Sequence, residues 1–210
     1  MSALICNRQL VVITLLAPLL SCGGSGASNK PGIDPGIASA KAFELLDKNS
    51  DGLLNDAELQ GAPGLAEGKS RADTNGDGQV SQEELASRIK SWNDSILRLV
   101  GPELEVQFNG RLVPGATIII EPESFLSEWI EPKTVSTNEH GKCTPQISRE
   151  LPGMNMGYYR IKVSKEVGGK ERIPKKYNEQ TQVGVEFCPD RPSEEYQLIE
   201  IHLGKKSRRR

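Results

Sequence analysis

The chain has 210 residues and a formal charge of −2, from 26 basic and 28 acidic side chains. That balance excludes the basic face needed to bind nucleic-acid phosphate. Only two histidines are present, His140 and His202. Neither stands in a zinc-protease or nucleophile-elbow pattern, so no catalysis is expected.

Segment 1–21 pairs Arg8 with an apolar run from Leu10 to Leu20 followed by small residues, the pattern of a secretory signal peptide. The run falls short of the roughly 20 residues a membrane-spanning helix needs. It ends Leu19-Leu20-Ser21-Cys22, which resembles the lipobox of bacterial lipoproteins. That resemblance implies acylation of Cys22 and attachment to the cell envelope, at the outer membrane, through an N-terminal lipid. Ordinary secretion with a free thiol is the alternative. The stretch from Gly23 to Ser28 is all Gly, Ser and Ala, a composition that behaves as flexible coil, and it opens a tether over 22–36.

Composition then separates two domains, giving an α+β multidomain chain. Over 37–100 apolar residues recur at helical spacing among Asp, Ala and Gly, whereas over 103–204 β-formers alternate between Pro and Gly turns. Gly101-Pro102 marks the boundary. The closing cluster from Lys205 to Arg210 is a basic tail that reads first as a solvated terminus and second as a contact for an anionic surface.

Within the helical part, two twelve-residue segments carry oxygen donors at alternate positions around an obligatory turn. The first offers Asp47, Asn49, Asp51, the Leu53 carbonyl, Asn55 and Glu58, with Gly52 sixth. The second offers Asp73, Asn75, Asp77, the Gln79 carbonyl, Ser81 and Glu84, with Gly78 sixth. Hard divalent cations of calcium's size take six to eight such oxygens, and the sixth position needs glycine for the sharp turn. The pattern occurring twice is specific, and both segments are identified as EF-hand loops, which implies two bound Ca²⁺ ions. Apolar Leu54 and Val80 at the eighth positions predict a short β-bridge pairing the loops. With three acidic ligands each, affinities of about 10⁻⁵ to 10⁻³ M are expected.

Helices should flank the loops. Ala38, Ala42, Phe43, Leu45 and Leu46 form a stripe before the first, and Leu85, Ile89, Trp92, Ile96 and Leu99 form one after the second. Between Glu58 and Asp73, Pro63, Gly64 and Gly68 are expected to break the inner helices. The chain's methionines are Met1, Met154 and Met156, none near the loops, so a structural calcium role is expected rather than a sensor's Met-lined groove. Calcium is expected to hold this half together while the β half folds without it.

Past Pro102 the alternating rows are Leu104/Val106/Phe108, Ala116/Ile118/Ile120, Tyr159/Ile161/Val163, Val183/Val185/Phe187 and Ile199/Ile201/Leu203. Asn109-Gly110 is a hairpin signal, Pro114-Gly115 and Pro152-Gly153 are turns, and Asn138 to Gly141 joins strands around Val135 and Ile147. About seven antiparallel strands of this size suggest an immunoglobulin-like sandwich. The order Pro114 to Ile118, Thr137 to Gly141, Gly157 to Ile161 and Ile173 to Asn178 is similar to carboxypeptidase-regulatory-like (prealbumin-like) β-sandwich domains found in many planctomycete lipoproteins. The resemblance implies an accessory or binding module, with an extracellular protein or glycan as partner. The iron-binding Arg-Pro-x-His-x-His element and the Tyr-Arg-Gly-Ser ending of enzymes on prealbumin-like folds are both missing. Cys143 and Cys188 remain as a disulfide or as two buried thiols. A dockerin-like assembly module, docking through its paired loops onto a scaffold protein, is the alternative function.

Overall fold

The structure, a computed structural model, describes residues 30–149, 151–191 and 198–204. Four α-helices open it: α1 (Pro35–Leu46), α2 (Asp56–Leu59), α3 (Pro63–Ala72) and α4 (Gln82–Asp94). Each has a local cause. Asp34 caps α1 by accepting from Ile37 N, while Asn55 and Ser81 open α2 and α4 with capping boxes closed by Glu58 and Glu84. The two-residue strands β1 (Leu53–Leu54) and β2 (Val80–Ser81) pair antiparallel, with Leu54 opposite Val80.

Pro63 does not break the inner segment but starts it. It occupies the first turn of α3, where its missing N–H costs nothing, and α3 runs on through Gly64 and Gly68. On α1, Ala38, Ala42, Phe43 and Leu46 are buried but Leu45 faces solvent. On α4, Leu85, Ile89 and Trp92 are buried; the helix then ends at Asp94, leaving Ile96 exposed beyond it.

The strands that follow are β3 (Glu103–Phe108), β4 (Arg111–Leu112), β5 (Thr117–Pro122), β6 (Lys133–Ser136), β7 (Lys142–Cys143), β8 (Gln146–Ser148), β9 (Leu151–Pro152), β10 (Gly157–Ser164), β11 (Glu166–Val167), β12 (Lys170–Glu171), β13 (Gly184–Phe187) and β14 (Leu198–Leu203). One four-stranded antiparallel sheet has the order β13-β10-β5-β6. The second centres on β3, which pairs antiparallel with β4 and β7 and parallel with β14. The fold is thus α+β, a small helical region followed by mainly antiparallel sheets. The parallel β3–β14 pair departs from the all-antiparallel expectation, because the chain leaves β13 on one sheet and must cross to reach the other. Asn109 and Gly110, with φ of 52° and 75°, turn β3 into β4 as their residue types predict.

The two halves do not own separate cores. One cluster of buried side chains runs from Ile33 and Phe43 through Leu85 and Trp92 to Ile118, Tyr159 and Leu203. The β half therefore packs directly against the calcium half. The join is α3, lying across β10 and β13 at backbone distance. A Cβ on Gly184 would sit 1.9 Å from the Pro63 carbonyl oxygen, and one on Gly64 would sit 2.5 Å from Tyr159 N.

Polar groups seal the same seam. Glu123 from the sheet side accepts from Gly64 N at 2.7 Å, standing at the start of α3 where the helix dipole favours a negative charge. Burial raises the Glu123 pKa, opposed by that N–H and by Arg160. At the other end Glu186 on β13, with no exposed surface, accepts from Arg71 Nε at 2.5 Å, Arg88 Nε at 2.7 Å and Trp92 Nε1 at 3.2 Å. Arg88 also makes a two-point contact with Asp190, at 2.6 and 2.8 Å. Those hydrogen bonds, against partial burial, hold the Asp190 carboxyl at about 2.

The Gly184 contact admits no side chain, so Gly184→Ala should force α3 off the sheet. A loss of roughly 3 kcal/mol is expected, the upper part of the usual overpacking range. Urea unfolding measures it, and an unchanged midpoint would contradict the backbone contact.

Candidate metal centre

Each loop is closed on itself by a repeated set of hydrogen bonds. Asp47 Oδ2 accepts from Gly52 N at 3.0 Å, and Asp73 Oδ2 from Gly78 N at 2.9 Å. Asn49 Oδ1 accepts from Asp51 N and Asn75 Oδ1 from Asp77 N, at 3.0 and 2.8 Å. Asp51 Oδ1 and Asp77 Oδ1 accept from Leu53 N and Gln79 N, at 2.9 and 2.8 Å. Gly52 and Gly78 adopt φ of 81° and 82°, left-handed backbone that favours glycine and turns the chain sharply enough to bring both ends together.

The last residue of each loop ties its two ends. Glu58 accepts from Lys48 N at 2.9 Å and Asn49 N at 3.4 Å with one oxygen, and from Asn55 N at 3.1 Å with the other. Glu84 accepts from Thr74 N, Asn75 N and Ser81 N at 3.0, 3.1 and 2.9 Å, and also from the Thr74 and Ser81 hydroxyls. Burial raises the pKa of Glu84, but these donors outweigh it and hold the group at about 2. It therefore stays a carboxylate, the form a metal requires, throughout the neutral range.

The donor set fits calcium. It is all oxygen, mixed between carboxylate, amide, hydroxyl and backbone carbonyl. Asp47 Oδ1 is buried with no hydrogen-bond partner among the described residues, a costly state for a carboxylate oxygen that a cation relieves. Among the described residues no three His, Cys, Asp or Glu side chains gather closely enough to hold an ion by themselves. Calcium would therefore be held by the mixed set, with Asp47, Asn49, Asp51, the Leu53 carbonyl, Asn55 and Glu58 in one loop. The other would use Asp73, Asn75, Asp77, the Gln79 carbonyl, Ser81 and Glu84. Asn55 and Ser81 also cap α2 and α4, so the ninth position of each loop serves both ligand set and helix start.

The family model of the EF hand matches residues 40–61 and 70–89, each match containing one loop and part of its flanking helices. No curated protein matches the chain. Residues 40–89 are thus an EF-hand region, and its chemistry is calcium binding.

The remaining residues singled out from the sequence lie elsewhere. Cys22 is outside the described residues. The disulfide expected as one option for Cys143 and Cys188 does not form: both are free, buried thiols, one on β7 in the second sheet and the other just past β13 at the edge of the first. Burial pushes Cys143 up to about 11, helped by Glu103, and Cys188 up to about 12, helped by Glu186. His140 is exposed in its turn, and His202 Nε2 lies 3.0 Å from Glu200.

Sequence reading missed Glu186, Glu123, Arg71 and Arg88, because their partners are far away along the chain. Alternation with Val185 and Phe187 places Glu186 on the face a strand usually turns to solvent, whereas the structure buries it.

Thiols that are buried and protonated should resist alkylation, since the thiolate is the nucleophile. Iodoacetamide at pH 8 is expected to leave Cys143 and Cys188 unmodified in the folded chain and to modify both in urea. Mass spectrometry counts the adducts, and rapid labelling of the native protein would contradict the burial.

Proposed function

We propose that this protein is a calcium-binding lipoprotein of the cell envelope, held at the outer membrane by a lipid on Cys22. It binds two Ca²⁺ ions and has no catalytic activity of its own. The β region works as a carboxypeptidase-regulatory-like accessory module that presents a surface to an extracellular protein or glycan. The observation that carries the calcium part is the repeated closed loop of oxygen donors ending in Glu58 and Glu84, in which Asp47 keeps a buried oxygen with no partner among the described residues. The lipobox-like Leu19-Leu20-Ser21-Cys22 and the Gly/Ser stretch after it support the anchor.

Burial of α3 against β10 and β13 supports a structural calcium role. A sensor swings its helices apart on binding, and a dockerin-like plug offers its loop helices to a scaffold. Here one inner helix already spends its surface on the chain's own sheet.

Calorimetric titration is the test of the metal reading. Two calcium sites are expected in the wild-type chain, with magnesium a poor competitor because a bidentate glutamate suits its tight octahedral shell badly. Glu58→Gln should weaken the first site strongly and, through the Leu54–Val80 pair, the second to a lesser degree; Glu84→Gln should mirror it. Retention of two wild-type sites in either variant would reject the loops as ligands.

The anchor has its own test in detergent-phase partition of the cell-expressed protein. The wild type should enter the detergent phase and Cys22→Ala should leave it. An unchanged partition is incompatible with lipid on Cys22.

A further inference from the structure

Both helices that frame the second loop converge on a single carboxylate of the sheet. Asp73, the first ligand, caps the C-terminus of α3, and two residues earlier Arg71 donates to Glu186 Oε2. α4 carries Glu84, the last ligand, in its first turn, and one turn later Arg88 donates to Glu186 Oε1, which Trp92 Nε1 also reaches. Glu67 extends the lock, accepting from Arg71 at 2.9 Å, from Arg191 at 2.7 Å and from the backbone N–H of Glu186 at 2.7 Å. The charges balance, three guanidinium groups against Glu67, Glu186 and Asp190, which is the condition for burying Glu186 and Arg88 at its centre.

The first loop is framed differently. Its outgoing helix α2 has four residues, and α1, beyond its apolar packing in the common core, pairs with the sheet side through the solvent-exposed Lys41 and Glu128. Glu58 accepts from three backbone N–H groups, whereas Glu84 accepts from three and from two hydroxyls as well.

We propose that Glu186 is the positioning residue of the second calcium loop: by gripping Arg71 and Arg88 it fixes Asp73 and Glu84 relative to each other before calcium arrives. Folding has already ordered the two ends, so binding is spared that entropy and the second loop is the tighter site. By reciprocity, calcium in that loop stabilises the β13 edge of the sheet. The inference rests on the calcium reading above.

The experiment uses the full chain carrying Glu58→Gln, so that the second loop alone reports. Into it are placed Glu186→Gln, Arg71→Gln and Glu123→Gln. The glutamine at 186 keeps the shape and an acceptor for Trp92, while Arg71 and Arg88 keep Glu67 and Asp190 as partners. Calcium affinity, by calorimetry, should fall roughly 10–100-fold in Glu186→Gln and in Arg71→Gln, the range seen when groups that orient metal ligands are removed. Glu123→Gln loosens the far end of α3 and should lower thermal stability while leaving that affinity intact. The rise in melting temperature on adding calcium should shrink in the first two variants and persist in the third.

If Glu186→Gln folds cooperatively and binds as tightly as its parent, the inference is overturned. The same holds if Glu123→Gln lowers affinity equally, because the effect is then general destabilisation. Should Glu186→Gln fail to fold, Arg71→Gln decides by the same criteria. A parent chain that takes up no calcium would instead overturn the calcium reading and the inference with it.

Discussion

A carboxylate sealed from water imposes terms on everything around it. Glu186 lies on β13 with no exposed surface, and an unpaired charge in that position would cost several kcal/mol. The chain meets the cost with Arg71 and Arg88, one from each helix bordering the second loop, and with the indole N–H of Trp92. Once those contacts form, α3 and α4 are set against the sheet, and the loop between them has fixed ends. Removing one partner of such a buried pair typically destabilises by about 3–5 kcal/mol, a large share of the roughly 5–15 kcal/mol that a domain has in total.

The same geometry favours a structural calcium role over a switch. Opening a sensor exposes apolar surface that is later covered by a target. In this fold the surface of α3 is covered by β10 and β13, and the approach is so close that glycine is required at 184 and favoured at 64. The two methionines of the described residues, Met154 and Met156, are buried in the common core, far from any groove role. α3 and α4 thus seat the second loop on the sheet.

Much of this was legible in the sequence, and the limits have a physical origin. The two loop segments were readable because their spaced donors and glycines follow the chain's own turn geometry, a local constraint. The strand rows around Leu104, Ile118 and Ile161 were readable because one buried face imprints a period of two, and Asn109-Gly110 announced its hairpin. Glu186 and Tyr158 escaped because that reading assumes the other face is wet, whereas α3 and α4 cover it. Pro63 was read as a breaker because the same residue stops a helix from within and starts one from its first turn. Those distinctions depend on contacts some 60 to 120 residues apart, such as Gly64 with Glu123 and Glu67 with Glu186, which no local pattern encodes.

The parallel pairing of β3 with β14 has a consequence for how the chain acquires its shape. β3 is the central strand of its sheet, yet the neighbour that covers Leu104 and Val106 along their full length is the last strand described, with nearly the whole β region between them. Pairing of such high contact order is slow, because loop closure must precede any reward from the contact. As the polypeptide emerges from its N-terminus, the helices and the β5–β10 sheet can form early while one edge of β3 stays open. That interval is when an unpaired strand edge invites association with other chains.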